Sequence, residues 1–398
     1  MILQAVAGCS RKRCNFLHQQ KSSCHMTFPF LRRGNHGLVM LFVWIAGTVM
    51  AAAPPVTAAD GQHDFLPRDT AKKDSATFTV YKDLPLKPAR KIAFTTNEGT
   101  WMSVDISPDG KTIVFDLMGD LYTVPATGGK ATALTKGLAF DTHPRYSPDG
   151  KKILFTSDRS GSENLWYIDL EKKDTVQLTK DRDRNFTSAA WTPDGNYVVA
   201  AKGRLDMQLW LIHKDAGTGT QITDAAGIKT IDPAVSPDGR YIYFSRRSGF
   251  WNYNAPMPQY QLGVYDRENG KTTTITSRYG SAFTPVLSKD GKWMVYGSRY
   301  EDKTGLVLHN RETGDEKWLA WPVQRDDQES IATMGVLPGM CFTPDSKAVI
   351  ATYGGKIYRI PINGSKPVEI PFTADLELEL GPRLAFTYPI KVTSHALV

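Results

Sequence analysis

A five-residue segment recurs along this chain and limits the folds open to it. Ser147-Pro148-Asp149-Gly150-Lys151 is one of six related segments, which begin at Ser107, Ser147, Thr192, Ser236, Ser288 and Thr343. Proline presets φ at the first corner of a turn, aspartate bonds back to the backbone, and glycine takes the positive φ that closes it. Repetition at a period of 40 to 55 residues predicts an array of small units, each containing one such hairpin turn.

Each turn is followed by segments that are typical of buried strands. A short run rich in β-branched and aromatic residues comes first, as in 152–156 and 241–244. A second apolar segment, such as 164–169, follows the turn by about a dozen residues, and a short strand such as 175–179 closes the unit. Four antiparallel strands per unit make one propeller blade, so we predict an all-β, six-bladed β-propeller of four-stranded antiparallel blades.

The N-terminal region has the composition of an export signal. Residues 1–59 contain six basic residues and no acidic one, and so carry six of the seven units of net positive charge. Arg32-Arg33 precedes an apolar run at 38–53 that is shorter than the roughly 20 residues that span a bilayer. We therefore predict a signal peptide region at 1–59, with its true start at Met26, and a periplasmic or secreted protein without a stable transmembrane segment after processing. The nearly neutral remainder argues against a nucleic-acid partner.

The cysteines and the remaining segments complete the predicted organisation. Only Cys341 lies beyond Met26 among the four cysteines, and we interpret it as a core residue. We expect an N-terminal arm at 60–90, the propeller at 91–372 and a C-terminal extension at 373–398. The segments 90–99 and 368–372 both have the pattern of an outer strand. Either one of the two is displaced, or the chain continues through 376–386 into a further blade, as in the truncated front part of a longer protein.

The full repeat resembles a known family. Ser147–Lys151, Ser157-Asp158-Arg159-Ser160-Gly161, the segment 164–169 and Leu178-Thr179 are similar to the WD-repeat-like blades of TolB-like periplasmic β-propellers. Similar blades occur at the N-terminus of exported amidohydrolases and prolyl-oligopeptidase-type peptidases. The resemblance covers 91–372 and implies the fold, whereas propellers host unrelated activities.

The predicted topology assigns binding to one face of the propeller. The Ser-Pro-Asp-Gly turns share one face, and the longer, more varied loops share the other, where binding residues are usually found. The predicted contact residues on this loop-rich face are Arg159, Arg246, Trp251, Tyr253, Tyr260 and Arg325. The alternatives are that the aromatic loop 248–260 packs on its own neighbours and that the arginines pair with aspartates between blades.

The sequence contains no pattern of an active site. It has no His-x-His, no His-Glu-x-x-His and no Gly-x-Ser-x-Gly segment, so we predict no catalytic, cofactor-binding or metal-binding residues. We interpret the chain as a non-catalytic binding scaffold with a protein or peptide partner in the cell envelope. The alternative is the N-terminal, substrate-gating propeller of a larger hydrolase, an amidohydrolase first and a serine peptidase second, whose catalytic domain lies outside this chain.

Overall fold

The computed structural model describes residues 87–215, 217–249, 256–329 and 335–382. These residues form 27 β-strands joined by turns and loops, and none of them belongs to a helix that could cross a membrane. The predicted signal region 1–59, most of the predicted arm and the end of the predicted C-terminal extension lie outside the described residues.

The strands are numbered in chain order. The first fourteen are β1 (Arg90–Thr96), β2 (Val104–Ile106), β3 (Thr112–Leu117), β4 (Asp120–Pro125), β5 (Gly129–Lys130), β6 (Thr132–Ala133), β7 (Asp141–Tyr146), β8 (Lys152–Ser157), β9 (Asn164–Asp169), β10 (Asp174–Gln177), β11 (Asn185–Trp191), β12 (Tyr197–Gly203), β13 (Gln208–His213) and β14 (Thr220–Gln221). The others are β15 (Ile228–Val235), β16 (Tyr241–Ser248), β17 (Tyr260–Asp266), β18 (Thr272–Thr274), β19 (Phe283–Leu287), β20 (Trp293–Tyr300), β21 (Lys303–Asn310), β22 (Glu316–Arg325), β23 (Cys341–Phe342), β24 (Ala348–Tyr353), β25 (Lys356–Pro361), β26 (Val368–Ile370) and β27 (Phe372–Leu380).

The strands assemble into six four-stranded antiparallel sheets and one three-stranded sheet. Sheet 1 has the order β2-β3-β4-β6, and sheets 2 to 6 follow as β7 to β10, β11 to β14, β15 to β18, β19 to β22 and β23 to β26. The predicted apolar runs are buried as expected: Ile113, Val114 and Phe115 in β3 are 0% exposed. The all-β prediction and the antiparallel four-stranded unit are therefore confirmed.

The recurrent turn is held by its own side chains. Ser147 Oγ donates to Asp149 Oδ1 at 2.6 Å and accepts the Lys152 N–H at 2.9 Å, while Asp149 Oδ1 accepts the Lys151 N–H at 3.1 Å. Gly150 has a φ of 72°, which glycine adopts without strain. The other five copies have the same hydroxyl-to-carboxylate bond, from Ser107 to Asp109, Thr192 to Asp194, Ser236 to Asp238, Ser288 to Asp290 and Thr343 to Asp345.

The turns of neighbouring sheets touch one another in order. A Cβ added to Gly150 would lie 3.3 Å from Cδ of Pro108, and one added to Gly195 would lie 3.7 Å from Cδ of Pro148. The first turn touches the last in the same way, since a Cβ on Gly110 would lie 3.7 Å from Pro344. The Val104 N–H of sheet 1 also donates to the Gly339 carbonyl, which precedes sheet 6, at 2.9 Å. Sheets 1 and 6 are therefore direct neighbours.

In sheets 1 to 4, a threonine at the end of the outer strand bonds to the strand inside it. Thr179 Oγ1 accepts the Leu165 N–H at 2.9 Å and donates to Asn164 Oδ1 at 2.8 Å. In sheet 1 the threonine is Thr135, and the polar residue that begins the inner strand is Asp120. Sheets 3 and 4 use Thr223 with Gln208 and Thr276 with Gln261.

The two predicted outer strands at the ends of the array have different partners. β26 pairs with β25 and is the outer strand of sheet 6, whereas β1 is displaced and pairs antiparallel with β27, with Phe94 opposite Leu376. Residues 376–380, which the sequence analysis placed in a continuation toward a further blade, belong to strand β27, which pairs with β1. Its residues alternate between buried apolar and exposed polar positions from Phe372 to Leu378, which is the period of a half-buried strand.

The buried face of β27 packs between the first and last sheets. Phe372, Ala374, Leu376 and Leu378 share one apolar cluster with side chains of sheets 1 and 6. The cluster includes Phe115 and Tyr122 of sheet 1 and Ile350 and Ile357 of sheet 6. The face is therefore covered by both ends of the sheet array.

Truncation of this contact is expected to destabilise the whole domain. Leu376 is 2% exposed, so Leu376→Ala should lower the free energy of unfolding by about 2–5 kcal/mol through lost burial and a residual cavity. Glu377→Ala, on the exposed face of the same strand, should change it by less than about 0.5 kcal/mol. Urea unfolding measures both, and equal effects would contradict the packing of β27.

The pH dependence of stability is expected to depend on two carboxyl groups of sheet 1. Burial raises the pKa of Asp116 to about 7, and burial with the nearby Asp141 charge raises the pKa of Asp120 to about 7. Unfolding returns each pKa to about 4. Both groups therefore favour folding fully below about pH 4, and this contribution is lost as the pH rises toward and through 7.

Asp120→Asn removes one of these groups while keeping the hydrogen bond to Thr135, because Asn164 already occupies the equivalent place in sheet 2. The loss of unfolding free energy between about pH 5 and pH 8 should become smaller by about 1–3 kcal/mol. Asp302→Asn, at an exposed turn, serves as the control. An unchanged pH slope in Asp120→Asn would refute the assignment.

Candidate binding face and central channel

Two of the predicted contact residues lie inside the molecule. Arg159 is 6% exposed and its Nη2 bonds to the Asp141 carboxylate, while its guanidinium lies 5.6 Å from the Phe155 ring and 5.5 Å from the Trp166 ring. Tyr260 is 2% exposed and packs edge-on against Phe283 with ring centroids 6.1 Å apart. Both side chains therefore hold neighbouring strands together and do not reach the surface.

Two others are closer to solvent. Arg246, near the end of β16, donates from Nη1 to Thr274 Oγ1. Arg325 ends β22, with its side chain 83% exposed and Nε 2.9 Å from Asp327 Oδ1. Trp251 and Tyr253 lie outside the described residues. The structure therefore leaves Arg246 and Arg325 as the described members of the predicted set that a partner can reach.

Other basic groups of the loop-rich face are engaged in pairs. Arg278 Nη1 lies 2.5 Å from Glu316 Oε2, Arg299 Nε lies 3.5 Å from Asp326 Oδ2, and Lys202 Nζ lies 2.6 Å from Asp181 Oδ2. The carboxylate partners come partly from residues that the sequence analysis did not single out, such as Glu316. These contacts fit the interpretation that basic residues of this face brace adjacent strands.

The innermost strands of all six sheets line one channel. Its volume is about 580 Å³, and it is lined by β2, β7, β11, β15, β19 and β23 together with the prolines of the recurrent turns. Its polar groups include Asp105, Arg145 and Asp232. Arg145 Nη1 donates to the Val104 carbonyl at 2.8 Å, and Asp105 Oδ2 accepts the Tyr146 N–H at 2.8 Å. Two of the polar side chains that line the channel, Arg145 and Asp105, therefore form hydrogen bonds that join sheets 1 and 2.

Bulges shape the channel wall. β7, β15 and β19 each shift register at a residue that precedes proline and has a φ between 52° and 55°. Each bulge N–H then donates to a side chain of the preceding sheet, from His143 to Asp116, from Asp232 to Ser188 and from Thr284 to Ser245. The bulges thus link adjacent sheets.

The buried titratable groups near the channel bond to neighbouring strands or are enclosed by the core. Asp232 Oδ2 accepts hydrogen bonds from Ser245 Oγ at 2.9 Å and Thr284 Oγ1 at 3.2 Å, and burial raises the pKa of Asp232. Burial also raises the pKa of the Cys341 thiol, a buried free cysteine. Over the described ranges, no three His, Cys, Asp or Glu side chains form a group able to hold a metal ion.

A second cavity lies on the loop-rich face at sheet 5, and the sequence analysis did not identify it. This sheet-5 cleft has a volume of about 690 Å³ and is lined by Arg278, Tyr279, Gly280, Arg299, Tyr300, Glu301 and Trp318. Tyr279 is 82% exposed and Tyr300 is 53% exposed. The available signal was the pair of tryptophans in the outer strand β22, Trp318 and Trp321, because the other five outer strands contain no aromatic residue.

Comparison with known proteins agrees with this architecture. Residues 84–207 match the family described as TolB beta propeller domain. An uncharacterized protein of Agrobacterium fabrum is 26% identical over 201 residues, 48% of this chain and 67% of that protein. The tricorn protease of Thermoplasma volcanium is 25% identical over 243 residues, which cover 48% of this chain and 23% of the protease.

A solved structure gives the same result for the fold. TolB from Acinetobacter baumannii superposes with a TM-score of 0.53 at 17% identity, over 69% of this chain and 65% of TolB. The fold and the matches define a β-propeller protein. More particularly, residues 84–207 carry TolB-like β-propeller sequence, as the resemblance predicted, and about half of the chain is similar to part of a tricorn protease.

Arg159 is expected to act on stability. Arg159→Met would leave the Asp141 carboxylate, whose side chain is 1% exposed, without its buried partner, and should lower the free energy of unfolding by about 3–5 kcal/mol. Arg325→Ala should change it by less than about 0.5 kcal/mol. Thermal or urea unfolding checks both values, and a neutral Arg159→Met would contradict the structural role.

Proposed function

We propose that this protein is a non-catalytic, exported scaffold that binds a protein or peptide of the cell envelope through the loop-rich face of a six-bladed propeller. The location would be the periplasm or the exterior. Six four-stranded sheets in consecutive contact, with the first turn touching the last, support the count of six blades. The TolB match supports a role in protein interaction.

The contrast between the two faces carries this proposal. On the turn face, six short turns satisfy their own backbone groups, and five of them pack their glycine against the proline of a neighbouring turn, which leaves little adaptable surface. The loop-rich face has connections of varied length, the exposed side chain of Arg325 and the exposed rings of Tyr279 and Tyr300. Variable loops on a rigid scaffold are the usual place for binding, and aromatic and arginine side chains dominate contact energies.

The specific residues that we propose for this face are Arg246, Arg325, Trp251 and Tyr253. Arg246 lies near the end of β16 and Arg325 ends β22, and both strands lead into loops of this face. Trp251 and Tyr253 follow β16 directly in the sequence. Arg159 and Tyr260 would contribute by fixing strands beneath the face, in keeping with their burial.

A second proposal is that the chain is the substrate-gating propeller of a larger hydrolase, an amidohydrolase or a serine peptidase. The match to a tricorn protease, of which it covers 23%, favours this alternative, and the channel through the six sheets offers a route for an extended substrate. Sequencing beyond codon 398 tests it, since a continuous frame encoding a catalytic motif would support it and an immediate stop would count against it.

The scaffold proposal predicts face-specific capture of partners. Purified protein should retain a reproducible set of envelope proteins, and the combined change Arg246→Ala, Trp251→Ala and Tyr253→Ala should reduce their recovery by about tenfold or more. Lys151→Ala, on the turn face, is the matched control and should leave recovery unchanged. Quantitative mass spectrometry measures the recovered proteins for each variant. Equal loss of recovery for changes on the two faces, or no capture by the unaltered protein, would contradict the proposal.

A further inference from the structure

The sheet-5 cleft has a continuous aromatic wall. The Tyr300 ring lies 6.3 Å from Trp318 and 5.7 Å from Trp321 between centroids, with interplanar angles of 59° and 73°. Tyr279 projects from the connection between sheets 4 and 5 and also lines the cleft. All four rings are at least 39% exposed, which is unusual for side chains whose burial is worth about 1.5–3 kcal/mol each.

Close backbone packing and hydrogen bonds within the protein position these rings. Gly305 on β21 lies beneath the two tryptophans, because a Cβ there would be 2.9 Å from Trp318 and 2.7 Å from Trp321. Gly280 allows the Tyr279 connection to approach β20, where its carbonyl accepts the Arg299 N–H at 2.9 Å. Gln261 holds the same connection by bonding to the Arg278 N–H and carbonyl at 3.1 and 2.8 Å. A preformed cleft of this kind lowers the entropic cost of binding.

The cationic groups of the cleft are already engaged. Arg278 pairs with Glu316, donates to Ser298 and lies 5.7 Å from the Trp318 ring centroid. Arg299 donates to the Glu301 carbonyl and lies near Asp326. A sugar needs many polar partners for its hydroxyl groups, and these arginines are committed elsewhere, so the cleft favours an apolar, ring-rich ligand.

The edge of β22 is unsuited to the addition of a strand. Pro322 supplies no N–H to a new ladder, and two register shifts separate β22 from a regular pairing with β21. Prolines and bulges are features that block edge pairing. An extended peptide that needs backbone hydrogen bonds along this edge is therefore disfavoured.

A polyproline II segment meets the remaining conditions. It has no internal or ladder hydrogen bonds and rises about 3.1 Å per residue with three residues per turn. Aromatic-lined grooves are the usual receptors for such segments. Tyr279, Tyr300 and Trp318 line this cleft, and the Trp321 ring packs against Tyr300. Glu301, an exposed acidic residue in the turn that borders the cleft, complements a basic residue beside the prolines.

We propose that the sheet-5 cleft binds a proline-rich peptide in the polyproline II conformation, with a basic residue next to the proline segment. This deepens the proposed function by naming a ligand class for one site on the loop-rich face. The cleft proposal depends on the proposed function only because both place binding on the loop-rich face.

Fluorescence anisotropy with a synthetic proline-rich peptide that carries one N-terminal arginine tests the proposal. The full chain should bind the peptide, and Tyr279→Ala and Tyr300→Ala should each weaken binding by about tenfold. Both rings are largely exposed, so both variants should fold. Glu301→Gln should weaken binding of the arginine peptide by about threefold and leave an uncharged proline-rich peptide unaffected.

Phe140→Ala is the matched aromatic control, since Phe140 is 45% exposed and lies in the connection between sheets 1 and 2. It should bind the peptide as the unaltered chain does. No peptide binding, equal weakening by Phe140→Ala, or binding of a peptidoglycan-derived oligosaccharide in place of the peptide would each overturn the proposal. Capture of envelope proteins by a chain that fails to bind the peptide would refute this cleft assignment alone and leave the scaffold proposal standing.

Discussion

The packing of β27 between sheets 1 and 6 is the contact on which the rest of the structure depends. A row of sheets that share apolar faces leaves one face uncovered at each end unless the ends meet. Here Leu376 and Phe372 fill the space between Phe115 and Ile357, while the first and last turns touch at Gly110 and Pro344. Single sheets of this size are not stable by themselves. These contacts hold the six sheets together so that their inner strands line one channel.

The repeat allowed much of this fold to be predicted, because turn chemistry is local. Ser147, Asp149 and Gly150 make the bonds and backbone angle that their residue types favour. The partner of β1 could not be predicted, since pairing Phe94 with Leu376 joins residues from opposite ends of the array. The alternation in β27 is visible in the sequence, but it does not show which strand β27 pairs with.

Prediction of the candidate site was less successful, for a physical reason. Arg159 and Tyr260 have the residue types of contact positions, yet both are buried by neighbouring strands, and burial depends on packing that a single sequence does not display. The sheet-5 cleft depends on Gly280, Gly305 and rings from three separate segments.

Native-state hydrogen exchange tests the closed arrangement most directly. If β27 joins the two ends of the array, the amides of Leu376, of Phe115 in sheet 1 and of Val349 in sheet 6 should exchange only through global unfolding, with the same free energy as Val199 in sheet 3. Exchange of Leu376, Phe115 and Val349 through a separate opening, at a free energy several kcal/mol below that of Val199, would contradict the account.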